Sequence, residues 1–212
     1  MEEYEEEYGV CPICGYEPNE EPVSPLQLPP GTLLAGRYLT GRVLGYGGFG
    51  VTYLGWDQML EQKVAVKEYL PSEFATRMVG QCDVTIFSGN KAEQFEGGLH
   101  RFVEEAKRLA QFQSEPGIVR VFDSFEENGT AYLVMEYLEG ETLTALLERE
   151  GKLDPERAIA LLEPVIRSLE TVHATGIIHR DIAPDNIFLT KDGRVKLIDF
   201  GAARYATTSH SR

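Results

Sequence analysis

Positive charge, cysteine and long apolar runs are all scarce in this 212-residue chain. Twenty Lys and Arg stand against 34 Asp and Glu, for a formal net charge of −14. A nucleic-acid partner is therefore not expected, because phosphate neutralisation needs clustered cations. Three cysteines make no disulfide framework, which points to a reducing compartment. No apolar stretch approaches the ~20 residues of a membrane helix. No basic-then-apolar segment opens the chain, which excludes an evident signal peptide. A cytoplasmic location with no membrane segment within these residues is the resulting expectation.

The acidity is uneven. Residues 1–22 hold Glu2, Glu3, Glu5, Glu6, Glu7, Glu17, Glu20 and Glu21 and no Lys or Arg, leaving 20 basic against 26 acidic residues for the rest. Six prolines follow or interleave (Pro12, Pro18, Pro22, Pro25, Pro29, Pro30). Residues 1–36 read as an acidic tail, a zinc-knuckle candidate and a Pro-rich linker, with ordered structure expected from about Arg37. Cys11 and Cys14, spaced C-x-x-C before Gly15, supply half of a tetrahedral zinc site. Cys82 and His100 are poor completions, so zinc there would need ligands from elsewhere. The competing reading is a degenerate knuckle.

Short strands are expected at 37–44, 51–56, 63–69, 118–125 and 130–137, the last two joined by a hairpin turn over Glu126-Glu127-Asn128-Gly129. Phe95, Leu99, Phe102, Ala106 and Leu109 step by four and three, the spacing of one helical face ending near Phe112. Asp154 before Pro155 reads as an N-cap with proline in the first turn. Ile159, Leu162, Ile166, Leu169 and His173 then line one side of that helix, which Pro164 should kink or break. Strands return at 187–189 and 194–198. Strands first and mainly helices later predict an α+β protein with a sheet-rich lobe and a helical lobe.

Three segments carry chemistry. The first, Leu44-Gly45-Tyr46-Gly47-Gly48-Phe49-Gly50, contains G-x-G-x-x-G, in which glycine lets backbone N–H groups approach phosphate. A dinucleotide fold would place a helix next. Here a strand follows, which fits a hairpin lid. The second is Val64-Ala65-Val66-Lys67, whose lysine is placed to hold phosphates and needs a carboxylate to orient it; Glu105 is the candidate and Glu104 the alternative. The third is His179-Arg180-Asp181-Ile182-Ala183-Pro184-Asp185-Asn186, with Asp199-Phe200-Gly201 beyond it. An Asp in a tight loop accepts a hydroxyl proton, while an Asn carboxamide and a second Asp offer hard oxygens to Mg²⁺.

This order of motifs resembles the Hanks-type (eukaryotic-like) serine/threonine protein kinases, and within them the bacterial branch, from about Arg37 to Arg212. The resemblance implies a two-lobed α+β fold with ATP in the cleft, a complete N-lobe, and a helical C-lobe cut off inside the activation segment. It implies a bacterial signalling enzyme that transfers the γ-phosphoryl group of MgATP to protein hydroxyls. By that resemblance Leu44, Gly45, Tyr46, Gly47, Gly48, Phe49, Gly50 and Thr52 cover the nucleotide. Ala65, the gatekeeper Met135 and the hinge residues Glu136 and Leu138 surround adenine. Lys67 holds the phosphates and Glu105 orients it. Asp181 is the base, Asn186 and Asp199 hold Mg²⁺, and Leu109, Val121, His179 and Phe200 form an apolar spine. Arg180 would pair with a phosphorylated residue among or just beyond Thr207, Thr208, Ser209 and Ser211.

Several positions depart from the pattern. Ala183 stands where serine/threonine members carry a lysine. Thr52 replaces the usual valine after the lid. The 38-position separation of Lys67 from Glu105 is long, and the extra residues 70–90 read as a surface excursion rather than a regulatory insert. The expected truncation predicts apolar surface exposed on the 155–175 helix and on the 187–198 strands. Two rival functions are a nucleotide-binding pseudokinase or scaffold and a small-molecule kinase. The intact Lys67, Asp181 and Asp199 weigh against the first, and the protein-kinase order of motifs against the second.

Overall fold

A computed structural model describes Cys11, residues 24–201 and residues 203–205. Cys14 and the hydroxyls at 207–211 lie outside the described residues. The chain divides into two compact units. One holds the described residues up to Val103 with Phe122–Tyr137; the other holds Glu104–Val121 and the described residues from Leu138 onward.

The first unit is built on a six-stranded sheet in the order β1-β2-β3-β4-β8-β7. Its strands are β1 (Leu33–Leu34), β2 (Tyr38–Gly47), β3 (Gly50–Asp57), β4 (Gln62–Tyr69), β7 (Val121–Glu127) and β8 (Thr130–Glu136). The pleat sends alternate residues to opposite faces. Val64, Val66 and Glu68 of β4 share one face, with Ala65 and Lys67 on the other. The first face is the main core, where Leu28, Leu34, Tyr38, Val51, Tyr53, Val64, Val66, Tyr132 and Val134 are buried together. Asn128 and Gly129 both take positive φ (54° and 72°), as a two-residue hairpin turn requires.

Two expectations need correction here. Ordered packing begins before Arg37: Leu28 and Leu34 are fully buried, and β1 pairs with Tyr38–Leu39. The residues after Tyr69 are also more than a surface excursion. They form a hairpin of β5 (Ala75–Arg77) and β6 (Val84–Ile86) in which Leu70, Ala75 and Arg77 are buried. Its tip is exposed at Met78 and Val79, as is Ile86 on β6. Helix α1 (Asn90–Leu109) follows, with residues 90–103 in the first unit and 104–109 in the second.

The second unit contains α2 (Leu143–Glu150), α3 (Pro155–Ala174) and a three-stranded sheet of β12 (Val195–Leu197), β11 (Ile187–Thr190) and β9 (Gly140–Thr142). A short pair joins β10 (Ile177–Ile178) to β13 (Arg204–Tyr205). The α3 cap is as expected: the Asp154 carboxylate accepts the Arg157 N–H at 3.0 Å. Helix α3 runs unbroken through Pro164. Its buried side is Val165, Ser168 and Val172, whereas Ile159, Leu162 and Ile166 of the expected face are exposed, as is His173. Ser168 lies on that side, where its hydroxyl donates to the Pro164 carbonyl at 3.1 Å. A side chain at Gly117 would fall 2.0 Å from its Oγ, so glycine lets that loop close onto the helix. The expected exposure of 187–198 is not found: Ile187, Val195 and Leu197 are buried.

Candidate active site

In the first unit, β2 and β3 extend through the glycine segment and meet at Gly47–Gly50, with Gly48 and Phe49 at the tip. This is the hairpin lid expected from the sequence. Its glycines have different reasons to be there. A Cβ on Gly50 would lie 1.8 Å from the Glu68 carbonyl oxygen, and its φ of +151° disfavours a side chain, so the fold itself demands glycine. A Cβ on Gly45, Gly47 or Gly48 would meet nothing within 4 Å. Packing does not require glycine at those three positions, and they leave the open backbone that fits a phosphate chain.

Lys67 is paired in register with Thr52 on β3 and Leu133 on β8, which fixes its strand from both sides. Its Nζ stands 5.8 Å from the Phe102 ring centre on α1, a cation–π contact. Ala65 and Met135 are directly paired and both buried, and Glu136, half-exposed, pairs with Val64. Leu44 and Thr52 are half-buried, while Tyr46 and Phe49 are exposed.

In the second unit, the loop after β10 is held by its own polar groups. The Asp181 N–H donates to His179 Nδ1 at 3.3 Å. Asn186 Nδ2 donates to the Asp181 carbonyl (3.0 Å) and to Asp181 Oδ2 (2.9 Å). That uses the amide nitrogen and turns the Asn186 carbonyl oxygen away from the carboxylate, as a cation ligand would need. Arg180 takes φ +67°, an uncommon conformation for a side-chain-bearing residue and one that concentrates at functional loops. Beneath the loop, His179 is buried edge-on to Phe200 (ring centres 4.5 Å apart), with Phe112 6.0 Å beyond. Burial pushes the His179 imidazole below its ordinary pKa, so it is neutral at pH 7. Phe112, expected only as the end of the α1 face, joins this aromatic stack.

The two glutamates on α1 have different surroundings. Glu104 is at the surface with Lys107 at 2.7 Å. Glu105 is buried and accepts the Phe200 N–H at 3.4 Å. Asp199 Oδ1 accepts the Gly201 N–H at 2.8 Å. A side chain at Gly201 would come within 3.3 Å of both Asp199 and Glu105, so glycine keeps this backbone against two carboxylates. Leu138 is half-buried at the start of this unit's second segment.

The structure thus brings Asp181 to Asn186, and Asp199 to Glu105, within the second unit. Lys67 and the lid belong to the first. Of the cysteine pair, Cys14 lies outside the described residues. Among the described residues, no group of three or more His, Cys, Asp and Glu is placed to hold a metal ion. No helix among them is long and apolar enough to cross a membrane.

Comparison with known proteins agrees with this arrangement. The profile described as "Protein kinase domain" matches residues 38–212. Serine/threonine-protein kinase PknA of Mycobacterium tuberculosis (strain H37Rv) is 38% identical over 179 residues, 82% of this chain and 37% of that protein. The probable serine/threonine-protein kinase SCO3848 of Streptomyces coelicolor is 38% identical over 175 residues, 81% of this chain and 23% of that protein. Serine/threonine-protein kinase PknL of M. tuberculosis (strain H37Rv) is 37% identical over 172 residues, 81% of this chain and 38% of that protein. A solved structure titled "PpkA-294 apo form" superposes with a TM-score of 0.77 at 35% identity, covering 83% of this chain and 62% of that one. The chain spans less than two fifths of the length of these three curated relatives. On motif order, α+β fold and these matches together, the chain belongs to the protein kinase family, on the bacterial serine/threonine branch.

Proposed function

We propose that the protein transfers the γ-phosphoryl group of ATP to serine or threonine hydroxyls of proteins. The observation that carries this reading is the 179–186 loop, where Asn186 holds the Asp181 carboxylate in place for an incoming hydroxyl. Asp181 orients that hydroxyl and takes up its proton. Lys67 supplies a fixed positive charge to the phosphates, and the open glycines of the lid offer backbone N–H groups to the same chain of oxygens. Asn186 and Asp199 are the residues that would hold Mg²⁺, which when bound neutralises phosphate charge. Ala65, Met135, Glu136 and Leu138 are assigned to adenine. Glu105 is assigned to keeping the lysine and the Asp199-Phe200-Gly201 segment in their working states.

The wider assignments are part of the same reading. Residues 37–212, together with the packed residues from Leu28 onward, act as the kinase module, and the residues before them as a tail and linker. The protein substrate is unidentified, a nucleic-acid partner is not favoured by the charge, and the described residues would work in the cytoplasm. Cys11 and Cys14 would bind zinc together with ligands from outside the pair; metal analysis of wild type against Cys11→Ser tests this, and equal zinc content in both would end it. The kinase reading is tested by transfer of label from γ-labelled ATP to a generic protein substrate. Metal-dependent formation of acid-stable phosphoserine or phosphothreonine is expected. Label on tyrosine alone would correct the acceptor class, which Ala183 makes a fair question. Label on a small-molecule hydroxyl but never on protein would replace the reading.

A further inference from the structure

The main core contains a closed polar cluster that the proposed chemistry does not use. Glu68, next to Lys67 in β4, is fully buried on the opposite face of the strand from the lysine. Its Oε2 accepts the Tyr53 hydroxyl (2.7 Å) and Arg77 Nη1 (3.1 Å). Its Oε1 accepts the Tyr132 hydroxyl (2.8 Å) and Arg77 Nη2. The rest of the Arg77 guanidinium binds backbone. Nη1 donates to the Leu26 carbonyl (2.7 Å) and Nε to the Cys82 carbonyl (2.9 Å). The Leu28 N–H donates to the Tyr53 hydroxyl at 2.9 Å. One buried ion pair therefore ties together the sheet, the 70–89 hairpin and the segment leading into the sheet.

The cluster's position matters more than its existence. The strand end that Glu68 anchors also holds the lid near its tip. The Leu70 N–H donates to the Phe49 carbonyl at the lid tip (3.1 Å), and Gly50 packs against the Glu68 carbonyl. Lys67 directly precedes these contacts in β4. Residues 67–70 thus meet the nucleotide-facing elements through their backbone and through Lys67, and the hairpin through the Glu68 side chain. A buried carboxylate held by two tyrosines and a two-pronged guanidinium has little freedom to shift.

We infer that Arg77 and Glu68 are positioning residues for nucleotide binding, clamping the Lys67 strand and the lid from behind, an inference that rests on the kinase reading for its consequence but not for its geometry. The 70–89 hairpin then serves as part of the nucleotide site's support. Removing the clamp loosens residues 45–50 and 67–70 and weakens capture of MgATP, while Asp181, Asn186 and Asp199 in the second unit keep their surroundings.

The test uses the full chain in four forms: wild type, Arg77→Lys, Arg77→Met, and Glu68→Gln combined with Arg77→Met. The double variant leaves no unpaired buried charge, so it keeps the test decisive should Arg77→Met fold poorly. Hydrogen exchange is read on the apo protein, and MgATP affinity and steady-state transfer on the same samples. In the double variant, exchange in 45–50 and 67–70 should rise by about tenfold while residues 155–174 change by less than about twofold. KM for ATP should rise about tenfold with kcat held within about threefold, and Arg77→Lys should recover part of both. Met78→Ala, at the exposed tip, should change nothing. The inference is overturned if only 75–86 loosens, or if folded variants bind MgATP as wild type does. If wild type itself binds no MgATP, the kinase reading falls, and the exchange pattern still decides whether the clamp exists.

Discussion

The two units solve the problem of burying a face in opposite ways. In the first, β4 presents a carboxylate to the core, and the chain supplies Arg77, Tyr53 and Tyr132 to satisfy it. Every oxygen of that carboxylate is used, and the hairpin after Tyr69 exists in part to deliver the arginine. In the second, α3 hides Val165, Ser168 and Val172 and leaves Ile159, Leu162 and Ile166 in solvent. Buried polar groups commit a segment to one partner, because an unmatched one costs far more than a matched one gains. Apolar stripes carry no such commitment. A helix with two of them can be read either way round from its sequence.

The sharpest test of that contrast is chemical. On the proposed function, Lys67→Met in the first unit and Asp199→Asn in the second should each lower phosphoryl transfer by about 10²–10⁴-fold, since each removes a charge assigned to the phosphates or their cation. Equal thermal midpoints in wild type and variants would show that the loss is chemical. Transfer surviving either change within a factor of about ten would remove that residue from the machinery.

Next in size are changes of stability within the first unit. Gly50→Ala places a methyl group 1.8 Å from a backbone oxygen at a strained φ and should cost roughly 3 kcal/mol or more, read as a lowered unfolding midpoint. Gly47→Ala meets nothing and should leave folding alone while weakening MgATP binding. Equal destabilisation by the two would dissolve the distinction between a structural and a ligand-facing glycine. On α1, Gly98→Ala collides with the Tyr69 hydroxyl and should destabilise, whereas Gly97→Ala should stabilise by about 0.5–1 kcal/mol through helix propensity.

The second unit gives the matching pair. Val165→Ala should cost about 1–3 kcal/mol, and Ile159→Glu should stay within about 0.5 kcal/mol. The reverse order would mean that the expected face is the buried one after all.

A smaller effect separates the units by pH. Burial, followed by the charge of Glu68, drives the Tyr53 and Tyr132 hydroxyls well above their ordinary range, and burial followed by Asp123 does the same for Tyr38. Their folded pKa is raised, so their contribution is complete below pH ~10 and is lost as pH rises beyond it. A spectrophotometric titration should show these three ionising only with unfolding. Full ionisation near pH 10 in a still-folded chain would mean that the cluster is open to water.

How far the sequence could be read follows the same division. Local chemistry was legible: the lid hairpin, the Asn128-Gly129 turn, the Asp154 cap and the lysine strand each rest on residues close in sequence. Glu68 was legible in principle, since it shares a face with Val64 and Val66, and a carboxylate on a core face needs a cation. What joined it to Arg77 was a hairpin whose pairing has no strong turn signal, so residues 70–90 read as an excursion. Leu28 and Leu34 were hidden by the prolines around them, which made a packed segment look like a linker. Glu104 and Glu105 are adjacent, and only the surroundings of each carboxylate separate them. The side of α3 that is buried depends on Gly117, some fifty positions away, which no periodicity within the helix can report.

The proposed function requires that the Asp181 loop belongs to a working phosphotransferase rather than to a nucleotide-binding scaffold. Calorimetric MgATP affinity, measured beside phosphoryl transfer to a generic protein substrate for wild type and Asp181→Asn, tests it most directly. Asp181 is assigned to the acceptor hydroxyl and not to the nucleotide. Affinity should therefore stay within about threefold of wild type while transfer falls by about 10²–10⁴-fold. Wild-type protein that binds MgATP and transfers nothing, or Asp181→Asn that transfers as well as wild type, would contradict the account.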